Sequence, residues 1–229
     1  MYLTMKIKAI ITGATGMVGQ GVLRECIHNP EVESVLVLTR SPTGIQHEKL
    51  RELVRSDFYD WSDVQPLLKG YNACLFCLGT SAVGMSEKQY THITYSLTIL
   101  LAAALRDANP DMAFVYVSGM GTDSSEQGRS MWARVKGKTE NAILQMGFRD
   151  AYAFRPGIII PEHGIRSRTP LYSLMYTVLR PFYPLLKTLD SVTTTTRLAQ
   201  AMLRVVTHGT PDKHLENKAI NHLAKYANA

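Results

Sequence analysis

The stretch "KIKAIITGATGMVG", residues 6–19, constrains this chain more than any other. An apolar run rich in β-branched residues leads without a break into Gly13, Gly16 and Gly19 at G-x-x-G-x-x-G spacing, and a helical pattern follows to about Ile27. Each glycine has a separate reason to be there. Gly13 permits a tight turn out of the strand, Gly16 lets backbone approach a ligand with no Cβ in the way, and Gly19 lets the helix sit close to the sheet. The first turn of such a helix offers free N–H groups and a partial positive charge, which suits a diphosphate. Thr15, Met17 and Val18 fill out the loop and are expected at the same ligand.

A strand that feeds a helix in this way demands a parallel partner, and the rest of the chain supplies the same rhythm. Strands are expected over 6–12, 34–40, 50–57, 71–79, 112–119 and 150–160, the last cut by Pro156. Between them come a short helix over 61–70, a long apolar one over 86–108 ended by Asn109-Pro110, and one over 130–147 with Gly147 as C-cap. The fold class is therefore α/β. It is expected as a doubly wound parallel sheet in the Rossmann order 3-2-1-4-5-6, formed by residues 1–160. After Ile160 the alternation stops, and 161–229 reads as a small helical cap packed on the same domain. In it "SVTTTTRLAQAMLRVV" is a Ser/Thr-capped helix that turns Leu198, Met202 and Val206 to the core.

Composition narrows the partners. The 229 residues are 45% hydrophobic and 19% charged, with a formal net charge of +6, a profile of a folded globular protein. The basic residues are scattered apart from Arg166, Arg168 and Arg180, and no aromatic-interleaved basic stripe suggests nucleic acid. Cys74 and Cys77 in "CLFC" lie on one strand with side chains to opposite faces, and no second Cys/His pair stands at ligand spacing. With Cys26 they are expected as buried thiols, with no metal. Reduced thiols, and an N-terminal apolar stretch too short for a signal peptide, give a cytoplasmic expectation. The apolar segment 169–189 is interrupted by Arg180, Pro181, Pro184 and Lys187, so it is expected to wall the substrate pocket, form a homodimer surface or touch a membrane surface rather than span a bilayer.

The ends of the expected strands supply the cofactor preference. "LTRSP" offers Arg40 and Ser41 where an NAD site keeps an acid for the ribose hydroxyl. A guanidinium suits a 2′-phosphate, so NADP is expected over NAD. Asp57, at the end of the third strand, is placed by the adenine amino group. Gly79 allows close approach of a ligand at the end of the fourth strand, and Thr80 and Ser81 face ribose or phosphate, or cap the loop.

Taken in order, "TGATGMVG", "LTRSP", "CLGTS", "YVSGMGTD", "VKGKTE" and "FRPGIIIPE" make the chain resemble the short-chain dehydrogenase/reductase superfamily. More narrowly it resembles its atypical members, including the Tat-interacting-protein-like oxidoreductases. The resemblance covers residues 6–162. It implies that Ser118 orients a substrate carbonyl and that Lys136 holds the nicotinamide ribose. It also implies a proton-transferring Tyr four residues before that Lys, where this chain has Trp132. An indole N–H is a donor that does not ionise usefully in water. His92 and Tyr95, near the start of the long helix, and Asp123 are the candidate replacements, with a water as the alternative. Pro156 and Gly157 are expected beside the nicotinamide, Arg155 either at the substrate or paired with a local acid, and His163 and Arg166 at the rim. The resulting expectation is an NADP-dependent oxidoreductase acting on a small carbonyl or alcohol substrate. A non-catalytic NADP-sensing or scaffold protein and a membrane-surface binding module are the alternatives.

Overall fold

Strand β1 (Ile7–Thr12) lies at the centre of the computed structural model, which describes residues 6–165, 181 and 183–226. On one side it pairs in parallel with β2 (Val32–Thr39), which pairs with β3 (Leu50–Val54). On the other side follow β4 (Ala73–Phe76), β5 (Ala113–Val117) and β6 (Asp150–Arg155), again all parallel. The order is the expected one with a seventh strand, β9 (His214–Glu216), added: β3-β2-β1-β4-β5-β6-β9. Chain order reverses between β1 and β4, and open sheets of this kind bind ligands at the carboxyl ends of the strands on either side of such a point.

Alternation along the strands divides the core in two. Ile7, Ala9 and Ile11 of β1 pack with Val22, Leu23 and Cys26 of α1 (Met17–His28), while Ile10 packs on the opposite face with Leu101 and Leu105. Cys74 falls in the second cluster and Cys77 against the first, so the two thiols do lie on opposite sides of the sheet. Burial pushes all three cysteine thiols up, Cys77 to about 12. A thiol reagent is therefore expected to label the native protein slowly and all three cysteines rapidly only in denaturant, which absorbance titration checks.

Several boundaries differ from expectation for identifiable reasons. The long helix is three pieces: α2 (Glu87–Thr91), a π-helical turn (His92–Ser96) and α3 (Leu97–Ala108). Its start is fixed by a capping box in which Ser86 and Gln89 satisfy each other's backbone N–H groups. The short helix over 61–70 is a 3-10 helix (Ser62–Leu68) that tolerates Pro66. Helix α4 (Met131–Leu144) ends at Gln145, so Gly147, at φ 83°, belongs to the turn beyond and is not the cap. Pro156 separates two strands that belong to different sheets: β6 stays in the main sheet, and β7 (Ile158–Ile160) pairs with β8 (Val192–Thr194).

The C-terminal region returns to the main sheet. After a short helix α5 (Tyr183–Leu186) and β8, helix α6 (Thr195–His208) is capped by the Thr194 hydroxyl and buries Leu198, Met202 and Val206 as expected. It crosses α1 so closely that a Cβ on Gly21 would stand 2.6 Å from the Thr195 Cβ. Strand β9 (His214–Glu216) then pairs with β6, and α7 (Asn217–Lys225) follows. Among the described residues no helix is long and apolar enough to cross a membrane. Most of the segment 169–189, with Arg166, Arg168 and Arg180, lies outside them.

Candidate functional site

The glycine turn is built as its spacing dictates. Gly13 has φ 69°, and a Cβ there would come within 2.6 Å of the Cys77 carbonyl oxygen. The Gly16 N–H donates to the Gly13 carbonyl at 2.9 Å, and the Gln20 side chain ties down the Thr15 carbonyl at 3.1 Å. A Cβ on Gly19 would stand 2.1 Å from the Gly13 oxygen, so only glycine lets the helix approach this closely. Gly16 caps α1 without a side-chain bond, and no acidic residue stands in the first turn. The helix therefore keeps its N-terminal N–H groups and positive end for an anion.

Beside this turn opens a cleft of about 630 Å³ at the carboxyl edge of the sheet. Val18 of α1 borders it, with Gly79, Thr80 and Ser81 beyond β4, Ser118, Gly119 and Met120 beyond β5, Trp132 and Lys136 of α4, and Pro156 to Ile159 around the β6–β7 joint. A Cβ on Gly79 would meet nothing within 4 Å, so this glycine fronts open space. Arg40, at the end of β2, is exposed and makes no ion pair among the described residues, while a bond of 2.6 Å from the Thr39 hydroxyl to the Ser41 carbonyl shapes the turn around it. Asp57 stands three residues past the end of β3 rather than at it. One carboxylate oxygen accepts from the Tyr59 N–H at 2.7 Å.

Lys136 is half-buried at the edge of the cleft, and its Nζ donates to the Ser118 carbonyl. Burial pulls its ammonium down to about 8 against the opposing pull of the Glu140 charge. The Ser118 hydroxyl points away from the open side: it bonds the Glu140 carboxylate and lies 3.1 Å from the Phe154 carbonyl. Glu140 has no exposed surface, and Arg155 grips it from Nε at 3.1 and 3.2 Å. Arg155 reaches Glu216 of β9 at 3.3 Å as well, and His214 Nε2 lies 3.7 Å from Glu140. Of the two expectations for Arg155, the structure thus realises the pairing with acids. Glu140 had not been singled out, although "VKGKTE" sets it one helical turn from Lys136 on the same face.

Other expected residues fall elsewhere. His92 is exposed and stacked on Tyr59, centroids 4.5 Å apart. Tyr95 lies under the Lys138 ammonium at 4.7 Å. Neither borders the cleft. Asp123 accepts from the Ser125 hydroxyl and the Gly128 N–H, which holds its carboxyl below the usual value. His163, at φ 55°, is exposed in the turn after β7, away from the cleft. The Pro156 carbonyl accepts from the Met120 N–H at 2.9 Å. Gly157 has a packing reason of its own, since a Cβ would stand 2.4 Å from the Ser191 carbonyl oxygen.

These groups suit a nicotinamide dinucleotide: a helix start free for the diphosphate, a guanidinium one strand to one side that makes no ion pair among the described residues, an open glycine one strand to the other side, and a cation beyond it. The comparisons with known proteins agree. The profile of the NAD dependent epimerase/dehydratase family matches residues 9–133. "Protein FMP52, mitochondrial" of Candida albicans is 29% identical over 163 residues, 68% of this chain and 70% of that protein. "Protein fmp52, mitochondrial" of Aspergillus niger is 31% identical over 159 residues, 66% of each. In fold, the Bordetella bronchiseptica enzyme WbmF, solved in complex with NAD+, superposes with a TM-score of 0.67 at 15% identity, covering 98% of this chain and 78% of that one. A short chain dehydrogenase family protein from Francisella tularensis gives 0.60 at 13% identity, covering 89% and 92%. The relatives' names overturn the cytoplasmic expectation. Reduced thiols distinguish a reducing compartment from an oxidising one and say nothing about which reducing compartment it is.

Proposed function

Because the chain belongs to the NAD dependent epimerase/dehydratase family, we propose that it is an NADP-dependent oxidoreductase that moves hydride between the nicotinamide and a small apolar carbonyl or alcohol. The placing of Gly79, the Lys136 ammonium and Val18, which follows the glycine turn, around one cleft carries this reading. Gly13, Gly16 and Gly19, with Thr15, Met17 and Val18, would hold the diphosphate at the start of α1. Arg40 and Ser41 would hold the 2′-phosphate, Asp57 the adenine edge, Thr80 and Lys136 the nicotinamide ribose, and Pro156 and Gly157 the far side of the ring. Bound there, the dinucleotide supplies the hydride. Met120, Trp132, Ile158 and Ile159 give the substrate end apolar walls, which favours a carbonyl compound without charged groups. Ser118 would act on the substrate only through Lys136, whose Nζ its carbonyl holds, since its hydroxyl bonds Glu140 and its N–H donates to the Phe154 carbonyl.

Fluorescence titration with NADPH and NADH, followed by loss of nicotinamide absorbance over a panel of aldehydes and ketones, tests the reading. Arg40→Ala is expected to weaken NADPH binding about 10- to 100-fold, the value of a charge-assisted contact, and to leave NADH binding nearly unchanged. Equal losses for both coenzymes would remove Arg40 from the 2′-phosphate. Trp132 supports one second reading, an NADP-sensing protein without turnover, for which the same titration would give tight binding and no reduction across the panel. From the relatives' names we also infer a mitochondrial location, to be read by cell fractionation.

A further inference from the structure

Trp132 stands one helical turn before Lys136 and carries no proton that can be transferred in the neutral range. His92 and Tyr95 are occupied outside the cleft, and Asp123 in its own loop. Among the described residues, two cleft-lining side chains carry a titratable proton, the Cys77 thiol and the Lys136 ammonium, and burial holds the thiol too high to serve. We propose that Lys136 is itself the proton donor of this cleft, and that Glu140 and Arg155 are the positioning pair that aims its amine. This rests on the oxidoreductase reading above.

The geometry supports a donor as well as a ribose clamp. An ammonium has three N–H groups, and Lys136 uses one of them on the Ser118 carbonyl. Gly119 borders the amine without a side chain: a Cβ built there would find Nζ 3.9 Å away as its nearest neighbour. Beneath, the wholly buried Glu140 holds Ser118 by its hydroxyl, and Ser118 holds Lys136 by its carbonyl. The carboxylate thus sets the position of Nζ through a single intervening residue, and Arg155 fixes the carboxylate. The charged and titratable groups around this unit are Glu140 on α4, Arg155 on β6, His214 and Glu216 on β9, the Cys77 thiol after β4, and the buried phenols of Tyr90 on α2 and Tyr116 on β5. With the ammonium at about 8, the donor is matched to neutral pH, where general acids work best.

In the reduction, the carbonyl carbon would take the hydride, with its two electrons, that a bound reduced dinucleotide supplies, and the C=O π bond would break toward oxygen. The oxygen takes a proton from Nζ as one N–H bond breaks, which leaves a neutral amine that regains its proton from water at the open mouth of the cleft. In the opposite direction the neutral amine accepts the alcohol proton.

Trace acetylation of the full chain with acetic anhydride from pH 6 to 11, read by peptide mass spectrometry, should give Lys136 a midpoint near 8, against about 10.4 for the side chain of an added lysine model peptide. Glu140→Gln should lower the Lys136 midpoint, and Glu140→Asp should restore part of the shift. Reduction of 4-nitrobenzaldehyde by NADPH should be level below about pH 8 and fall tenfold per unit above it, with the break moving down in Glu140→Gln. Lys136→Arg and Lys136→Met should keep folded circular dichroism and lose at least about 100-fold in reduction rate, the scale of general acid catalysis. A Lys136 midpoint at the value of the lysine model peptide overturns the proposal, as does wild-type reduction rate in either Lys136 variant. Should a variant not fold, the wild-type labelling midpoint and the break in its rate profile decide, and disagreement between them overturns it. Wild-type protein that binds NADPH and reduces nothing across the aldehyde and ketone panel defeats the hydride reading itself, and this proposal with it.

Discussion

Glu140→Ala is expected to cost about 3–5 kcal/mol of folding stability, the range for removing one partner from a buried ion pair, and to lower the urea midpoint accordingly. The carboxylate has no exposed surface and the Arg155 side chain is 12% exposed, so truncation leaves a guanidinium in the protein interior with, among the described residues, only the peripheral Glu216 and the Ser124 hydroxyl. The Ser118 hydroxyl loses its acceptor in the same step. The double variant Glu140→Ala/Arg155→Met is expected to be less damaged than the sum of the two singles, because most of the loss lies in the orphaned charge rather than in the attraction. An unchanged denaturant slope would locate the effect in the folded state. A loss below about 1 kcal/mol, the usual value of a surface pair, would contradict the enclosure described for Glu140.

Gly19→Ala is expected to abolish measurable NADPH binding, a fall of at least about 100-fold, equivalent to about 2.7 kcal/mol or more. The added methyl would stand 2.1 Å from the Gly13 carbonyl oxygen and 2.8 Å from the Ala14 Cα. Both obstacles are backbone, so α1 must move away from β1 and take with it the N–H groups meant for the diphosphate. Overpacking of this kind also costs about 1–3 kcal/mol of stability. Gly16→Ala provides the contrast. Its methyl would lie 3.3 Å from the same oxygen with no left-handed backbone to strain, so the apoprotein should melt nearly as wild type while coenzyme binding still weakens. If Gly19→Ala bound NADPH as wild type does, the turn would not be the diphosphate cradle.

Much of this was legible in the chain because the signals are local. The glycine spacing, the strand–helix rhythm and the apolar face of Leu198, Met202 and Val206 each depend on residues within a few positions of one another. What escaped reading depends on distance. Strand β9 is three residues long with exposed, polar ends, His214 and Glu216, and nothing in "HLE" announces a strand until Arg155 is seen across from it. Glu140 looks like any solvated acid on an amphipathic helix, and its burial is set by β5, β6 and β9 together. The π-helical turn has no local marker, and it puts Tyr95 under Lys138 rather than at the cleft. Gly157 had been placed beside a nicotinamide ring, yet the tightest constraint on it is the Ser191 carbonyl, over thirty positions away.

Strand β9 also bears on the order in which the molecule is finished. Arg155 meets Glu216 across 61 positions of chain, so during vectorial synthesis the first six strands can assemble while one flank of β6 still lacks its neighbour. Until the ribosome has released that last strand, a nascent chain carries a nearly complete nucleotide fold with an open sheet edge, and a chaperone that shields edges would have its natural footing there.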